Sequence, residues 1–158
     1  MNRSLPILLS LCLAFEPLTI SAAVRGKEAK YIGGTIASFS ENADVKFDLG
    51  ESAVVFTSKA KGGAKLSVPY NKVDSVEYGQ KAGRRLGLAL AISPLFLLSH
   101  KRKHFVTINF EDDGGKKQGA VFELAKGIVH DTLSHLEAKT GKKVDYESDE
   151  ARKHAEKR

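Results

Sequence analysis

From Tyr31 to Leu124 the chain is cut into short β-prone runs by turn-forming residues, and this cadence restricts the fold more than any other feature. Runs at Tyr31–Phe39, Val45–Leu49, Ala53–Ser58, Lys65–Pro69, Val73–Tyr78, Phe105–Phe110 and Ala120–Leu124 are rich in branched and aromatic side chains. Their close spacing favours an all-β barrel or sandwich over βαβ units. Two of the breaks, Lys61-Gly62-Gly63 and Asp112-Asp113-Gly114-Gly115, supply the positive φ that a tight hairpin needs. Alternation is clearest in Val73-Asp74-Ser75-Val76-Glu77-Tyr78 and in Phe105-Val106-Thr107-Ile108-Asn109-Phe110, so both are expected in a half-buried sheet.

A helix is expected only after the last strand. Val129, Leu133 and Leu136 form one apolar stripe between Gly127 and Thr140. Gly141 follows as a left-handed cap, and Lys139, Lys142 and Lys143 suit the negative end of the helix dipole. Beyond Tyr146 the polar run SDEARKHAEKR predicts a solvated tail over 147–158.

The first 23 residues have the organisation of a secretory signal: Arg3, an apolar core from Leu5 to Leu13, and Ser21-Ala22-Ala23 before Val24. Glu16 and Pro17 interrupt it, which leaves a retained anchor as the alternative. Cys12 follows Leu11, where lipidation needs a small residue, so a lipoprotein is rejected. Cleavage would leave no cysteine, and with it no disulfide or thiolate site. A periplasmic or secreted location follows, with 24–30 as a linker. The net charge of +6 favours anionic partners.

Between the fifth and sixth runs lies GRRLGLALAISPLFLLSHKRKHF, an apolar block walled by basic residues. Leu86, Leu88, Leu90, Ile92, Leu95, Phe96, Leu97 and Leu98 would each gain roughly 1.5–3 kcal/mol on leaving water. The block runs from Leu86 to Ser99 and is shorter than the roughly twenty helical residues that cross a bilayer core. Pro94 divides it into two arms. Three covers compete: the arms pack on the domain's own sheet, enter one leaflet of a membrane, or bury against another copy or a protein partner. In the second case Arg84, Arg85, Lys101, Arg102 and Lys103 would lie at headgroup level. Nucleic acid is a poorer fit, because the basic residues lack interleaved aromatics for base stacking.

Motifs of catalysis are missing: there is no G-x-S-x-G, no H-E-x-x-H and no phosphate-cradling Gly-Lys-Ser/Thr. His130 and His135 are five apart on the expected helix, about 140° around it, and cannot share a metal. His100 and His104 have i, i+4 spacing, but Lys101, Arg102 and Lys103 between them repel a cation. No cofactor is called for.

Seven antiparallel strands closed by one helix are the element order of a pleckstrin-homology-like barrel. The runs VPYNKVDSVEYGQKAGRR, KRKHFVTINF and AVFELAKGIVHDTLSHLEAKTGKKV resemble a group of uncharacterised bacterial proteins with such a PH-like or GRAM-like domain. The resemblance spans 31–146 and implies a fold. It carries over no ligand-binding residues. The expectation is therefore a mainly β, seven-stranded PH-like barrel or sandwich with a C-terminal capping helix and a hydrophobic insertion at 84–103. Its expected function is non-catalytic: an exported interaction domain that meets an anionic membrane surface or a protein partner. The alternative is a ligand carrier or enzyme that uses an internal pocket.

Overall fold

The computed structural model describes residues 26–80 and 103–157. Eight strands form one sheet: β1 (Lys27–Gly34), β2 (Ala43–Leu49), β3 (Ala53–Ser58), β4 (Lys65–Pro69), β5 (Val73–Gly79), β6 (His104–Glu111), β7 (Lys117–Leu124) and β8 (Val144–Tyr146). Helix α1 (Lys126–Thr140) lies between β7 and β8, and α2 (Asp149–Glu156) ends the chain. The strand order is β4-β3-β2-β1-β7-β6-β5-β8. Two antiparallel meanders are thus joined where β1 meets β7, with Ala29 opposite Leu124 and Tyr31 opposite Phe122.

The sheet is curled, and the aromatic core shows by how much. Phe56 on β3 and Phe122 on β7 are three strand steps apart, about 14 Å in a flat sheet. Their rings nevertheless stack at 3.6 Å, 4° from parallel. Phe47 and Tyr31 pack beside them, at 5.0 Å from Phe56 and 5.6 Å from Phe122. A half-barrel results, whose open side is covered by α1 through Val129, Leu133 and Leu136, the stripe expected from the sequence. Gly141 ends that helix at φ 67°, its N–H donating to the Glu137 carbonyl.

Closing the sheet demands one close backbone approach. Gly34 has φ 151°, and a Cβ there would lie 2.2 Å from the Gly119 carbonyl oxygen. Only glycine fits. The hairpin tips behave as their chemistry dictates. Gly62 and Gly115 have positive φ, and the Asp112 carboxylate accepts the N–H groups of Gly114 and Lys116, both at 2.9 Å.

Four expectations need correction. The first strand begins at Lys27, inside the expected linker, and ends at Gly34; Ile36 and Phe39 belong to a turn, with the Phe39 ring folded back onto Tyr31 at 5.4 Å. There are eight strands rather than seven, because α1 returns the chain beside β5 and β8 pairs with it in parallel. The segment after Tyr146 is no frayed tail: Ser148 caps α2 by accepting the Ala151 N–H, and Ala151 and Ala155, one turn apart, are buried in the core. Finally, β6 is not half-buried, since all six residues from Phe105 to Phe110 are hidden.

Candidate functional site

Residues 81–102 leave the sheet after β5 and return before β6. Of the contact residues named from the sequence, Arg84, Arg85, Leu86, Leu88, Leu90, Ile92, Pro94, Leu95, Phe96, Leu97, Leu98, Lys101 and Arg102 lie outside the described residues, as does His100. Lys103 is described. Its ammonium is 2.8 Å from the Glu123 carboxylate on β7, and both side chains are partly exposed. Pairs of this kind contribute roughly 0.2–1 kcal/mol.

The root of the insertion is built from four contacts. The Lys103 N–H donates to the Gln80 carbonyl at 3.4 Å, so the chain leaving β5 and the chain entering β6 stay side by side. The Gln80 N–H donates to Glu147 at 2.9 Å, and the Glu147 N–H donates to the Tyr78 carbonyl at 2.9 Å, which ties the root to the turn after β8. Gly79 permits this, because a Cβ there would sit 2.7 Å from the Glu147 carboxylate. The Tyr78 hydroxyl meets His104 Nδ1 at 2.6 Å.

Titration at the root follows burial. The Tyr78 phenol is pushed up to about 12 by burial, with the Tyr146 and Glu147 charges adding to the effect. Burial lowers the His104 imidazole, and the nearby His154 and Lys126 charges lower it further. At neutral pH the pair is an uncharged hydrogen bond. A second pair lies at the other end of the core, where Tyr70, also raised to about 12 by burial, donates to the Gly50 carbonyl at 2.9 Å. That leaves His135 Nε2, 3.2 Å away, as the donor to the Tyr70 oxygen. His135 is likewise lowered, chiefly by burial. No sequence spacing announced either pair, since each joins residues on different elements.

The interior offers little space. The gap enclosed by Phe47, Phe56, Val106, Ile108, Phe122, Leu124, Thr132 and Leu136 admits no water-sized sphere. An open cleft of about 410 Å³ lies outside the barrel, between the end of α1, β8 and α2. It carries Lys142, Lys143 and Arg152 together with Glu137 and Glu156, and Arg152 stands 5.0 Å above the Tyr146 ring. Among the described residues no group of three or more His, Cys, Asp or Glu is placed to hold a metal ion, and no helix is long and apolar enough to cross a membrane.

The two halves of the sheet present different outer surfaces. On β2 the core side carries Val45, Phe47 and Leu49, and the outer side shows Asp44 and Lys46 to solvent. On β6 the core side carries Val106, Ile108 and Phe110, and the outer side hides Phe105, Thr107 and Asn109. Ile32 and Val121 are hidden on the same outer side. No protein-family model matches the chain, and no curated protein sequence matches it.

Proposed function

We propose that this chain is a non-catalytic, exported interaction module on a pleckstrin-homology-like barrel, and that it binds an anionic membrane surface through residues 84–103. The observation that carries the reading is the root, where the Lys103 N–H and the Gln80 carbonyl hold the two ends of the insertion together. An excursion that begins and ends at one point keeps Arg84 and Arg85 on the same side of a bilayer as Lys101 and Arg102. A single crossing would separate them. An arm of seven helical residues reaches about 10 Å, the depth of an interfacial contact.

Two further features support the reading. The order β4-β3-β2-β1-β7-β6-β5 with α1 across the opening suits a PH-like barrel, to which β8 and α2 are additions. The filled interior favours a role at the surface over one in an internal pocket. Each basic residue of the rim would add on the order of 1 kcal/mol on an anionic surface.

Vesicle flotation tests the proposal. The wild-type chain is expected to float with vesicles containing phosphatidylserine and to stay behind with pure phosphatidylcholine. Leu90→Asp with Leu97→Asp should abolish flotation, and replacing Arg84, Arg85, Lys101 and Arg102 with Gln should weaken it steeply. Failure of the wild type to float on anionic vesicles overturns the reading.

A further inference from the structure

A strand hides both faces only when each has a cover. The core side of β6 is covered by the curled sheet and α1. Its outer side has no such neighbour among the helices, because the buried residues of α1 and α2 all point into the same core cluster as Val106 and Ile108. Yet Phe105 and Thr107 are each 7% exposed, Asn109 8%, Val121 1% and Ile32 0%. Apart from the core, these residues form a second patch. Thr107 stands between Glu77 of β5 and Val121 of β7, and Phe105 between Gly79 and Glu123.

The patch also contains an unanswered polar atom. Asn109 donates through Nδ2 to Ser75 Oγ at 2.9 Å and to Glu77 at 2.8 Å, while its Oδ1 is buried with no partner. A buried acceptor without a donor costs about 1–3 kcal/mol. The patch is thus an apolar floor with one acceptor left open at its far end from the root.

We propose that the outer face of β5, β6 and β7 is the docking face for the chain's own apolar block, residues 86–98, and that a membrane competes with this face for the block. The inference rests on the membrane-contact reading and adds its regulation. Three facts select the block as occupant. It is connected to the two strands that carry the patch, leaving at Gln80 and returning at Lys103, two residues from Phe105. Its length suffices: an arm of seven helical residues spans about 10 Å, and Thr107 lies about 7 Å along the strand from Phe105. Its leucines match Ile32, Phe105 and Val121 in character. Ser93-Pro94, midway between the two attachments, is the part of the block able to extend furthest from the root, and a hydroxyl or a turn N–H there is the kind of donor that Asn109 Oδ1 lacks.

Cysteine labelling tests it on the full chain with Cys12→Ser as background. Thr107→Cys should react with a maleimide at least about tenfold more slowly than the exposed reference Ser67→Cys, because labelling then waits for local opening. Val121→Cys repeats the measurement in case Thr107→Cys folds poorly, and far-ultraviolet dichroism checks each variant. Leu90→Asp with Leu97→Asp should raise the rate at position 107 toward the reference, and so should phosphatidylserine vesicles added to the otherwise wild-type chain. Labelling at 107 and 121 as fast as at 67 overturns the proposal. So does protection that persists when the block is made polar, which would assign the cover to residues 1–25 or to a second copy. Flotation with position 107 still protected removes the competition while the membrane contact stands. Block-dependent protection without flotation leaves the docking face and removes the membrane.

Discussion

Strands β2 and β6 belong to one sheet and share one core, yet they meet opposite surroundings on the other side. β2 is an ordinary surface strand: its sequence ADVKFDL alternates, and water receives Asp44 and Lys46. β6 reads HFVTINFE, also alternating, and water receives almost nothing between Phe105 and Phe110. Alternation therefore reports which face is the more apolar. It does not report whether the other face is wet, because threonine and asparagine are compatible with either outcome.

The comparison can be broken or sharpened by measured stability. Phe122→Ala should cost the most, about 3–5 kcal/mol by urea denaturation, since the ring joins the two meanders by its stack on Phe56. A loss below about 1 kcal/mol would mean that the halves do not depend on each other. Next, Thr107→Asp places an unpaired charge on the hidden outer face and should cost about 3 kcal/mol. Thr57→Asp, on the more open outer face of β3, should cost well under about 1 kcal/mol. Equal losses would remove the contrast between the two halves.

A smaller effect of opposite sign is expected on α1. Thr132 is fully buried and its hydroxyl has no partner, so Thr132→Val should stabilise by about 1 kcal/mol, read as a higher urea midpoint at unchanged slope. Last comes pH. Burial lowers both His104 and His135 below their ordinary value of 6.5, so the unfolded chain binds more protons once pH falls into that range. Stability should therefore decline from about pH 6.5 downward, until the folded-state histidines titrate in turn. His104→Asn and His135→Gln, which keep a polar partner for each tyrosine, should flatten that part of the profile.

Much of the sheet was legible in the chain. The runs at Val45–Leu49, Ala53–Ser58 and Lys65–Pro69 lie within or match the strands found, because two-residue periodicity and glycine-bearing turns are local signals. What escaped was settled elsewhere. β8 has three residues and exists only because β5 offers an edge to them in parallel. The buried side of α2 consists of two alanines, too small to register as an apolar stripe among charged neighbours. The candidate contact segment was visible as composition, apolar between basic flanks, while the features that give it a setting were not. Gln80, Glu123 and Glu147 carry no mark in the sequence of their role at the root, and Asn109 none of its open acceptor.

The pairing of β1 with β7 also dictates when this protein can exist as a folded body. Ala29 and Leu124 are neighbours in the sheet although nearly the whole barrel separates them along the chain. Strands β1 to β4 can meander as soon as they are made, but Phe47 and Phe56 have no lid of aromatic carbon until Phe122 arrives. Contacts of such long range place folding in the slow, millisecond-to-second regime. A nascent chain remains pliable until its seventh strand is complete, and truncation before Leu124 should yield an aggregating meander rather than a smaller domain.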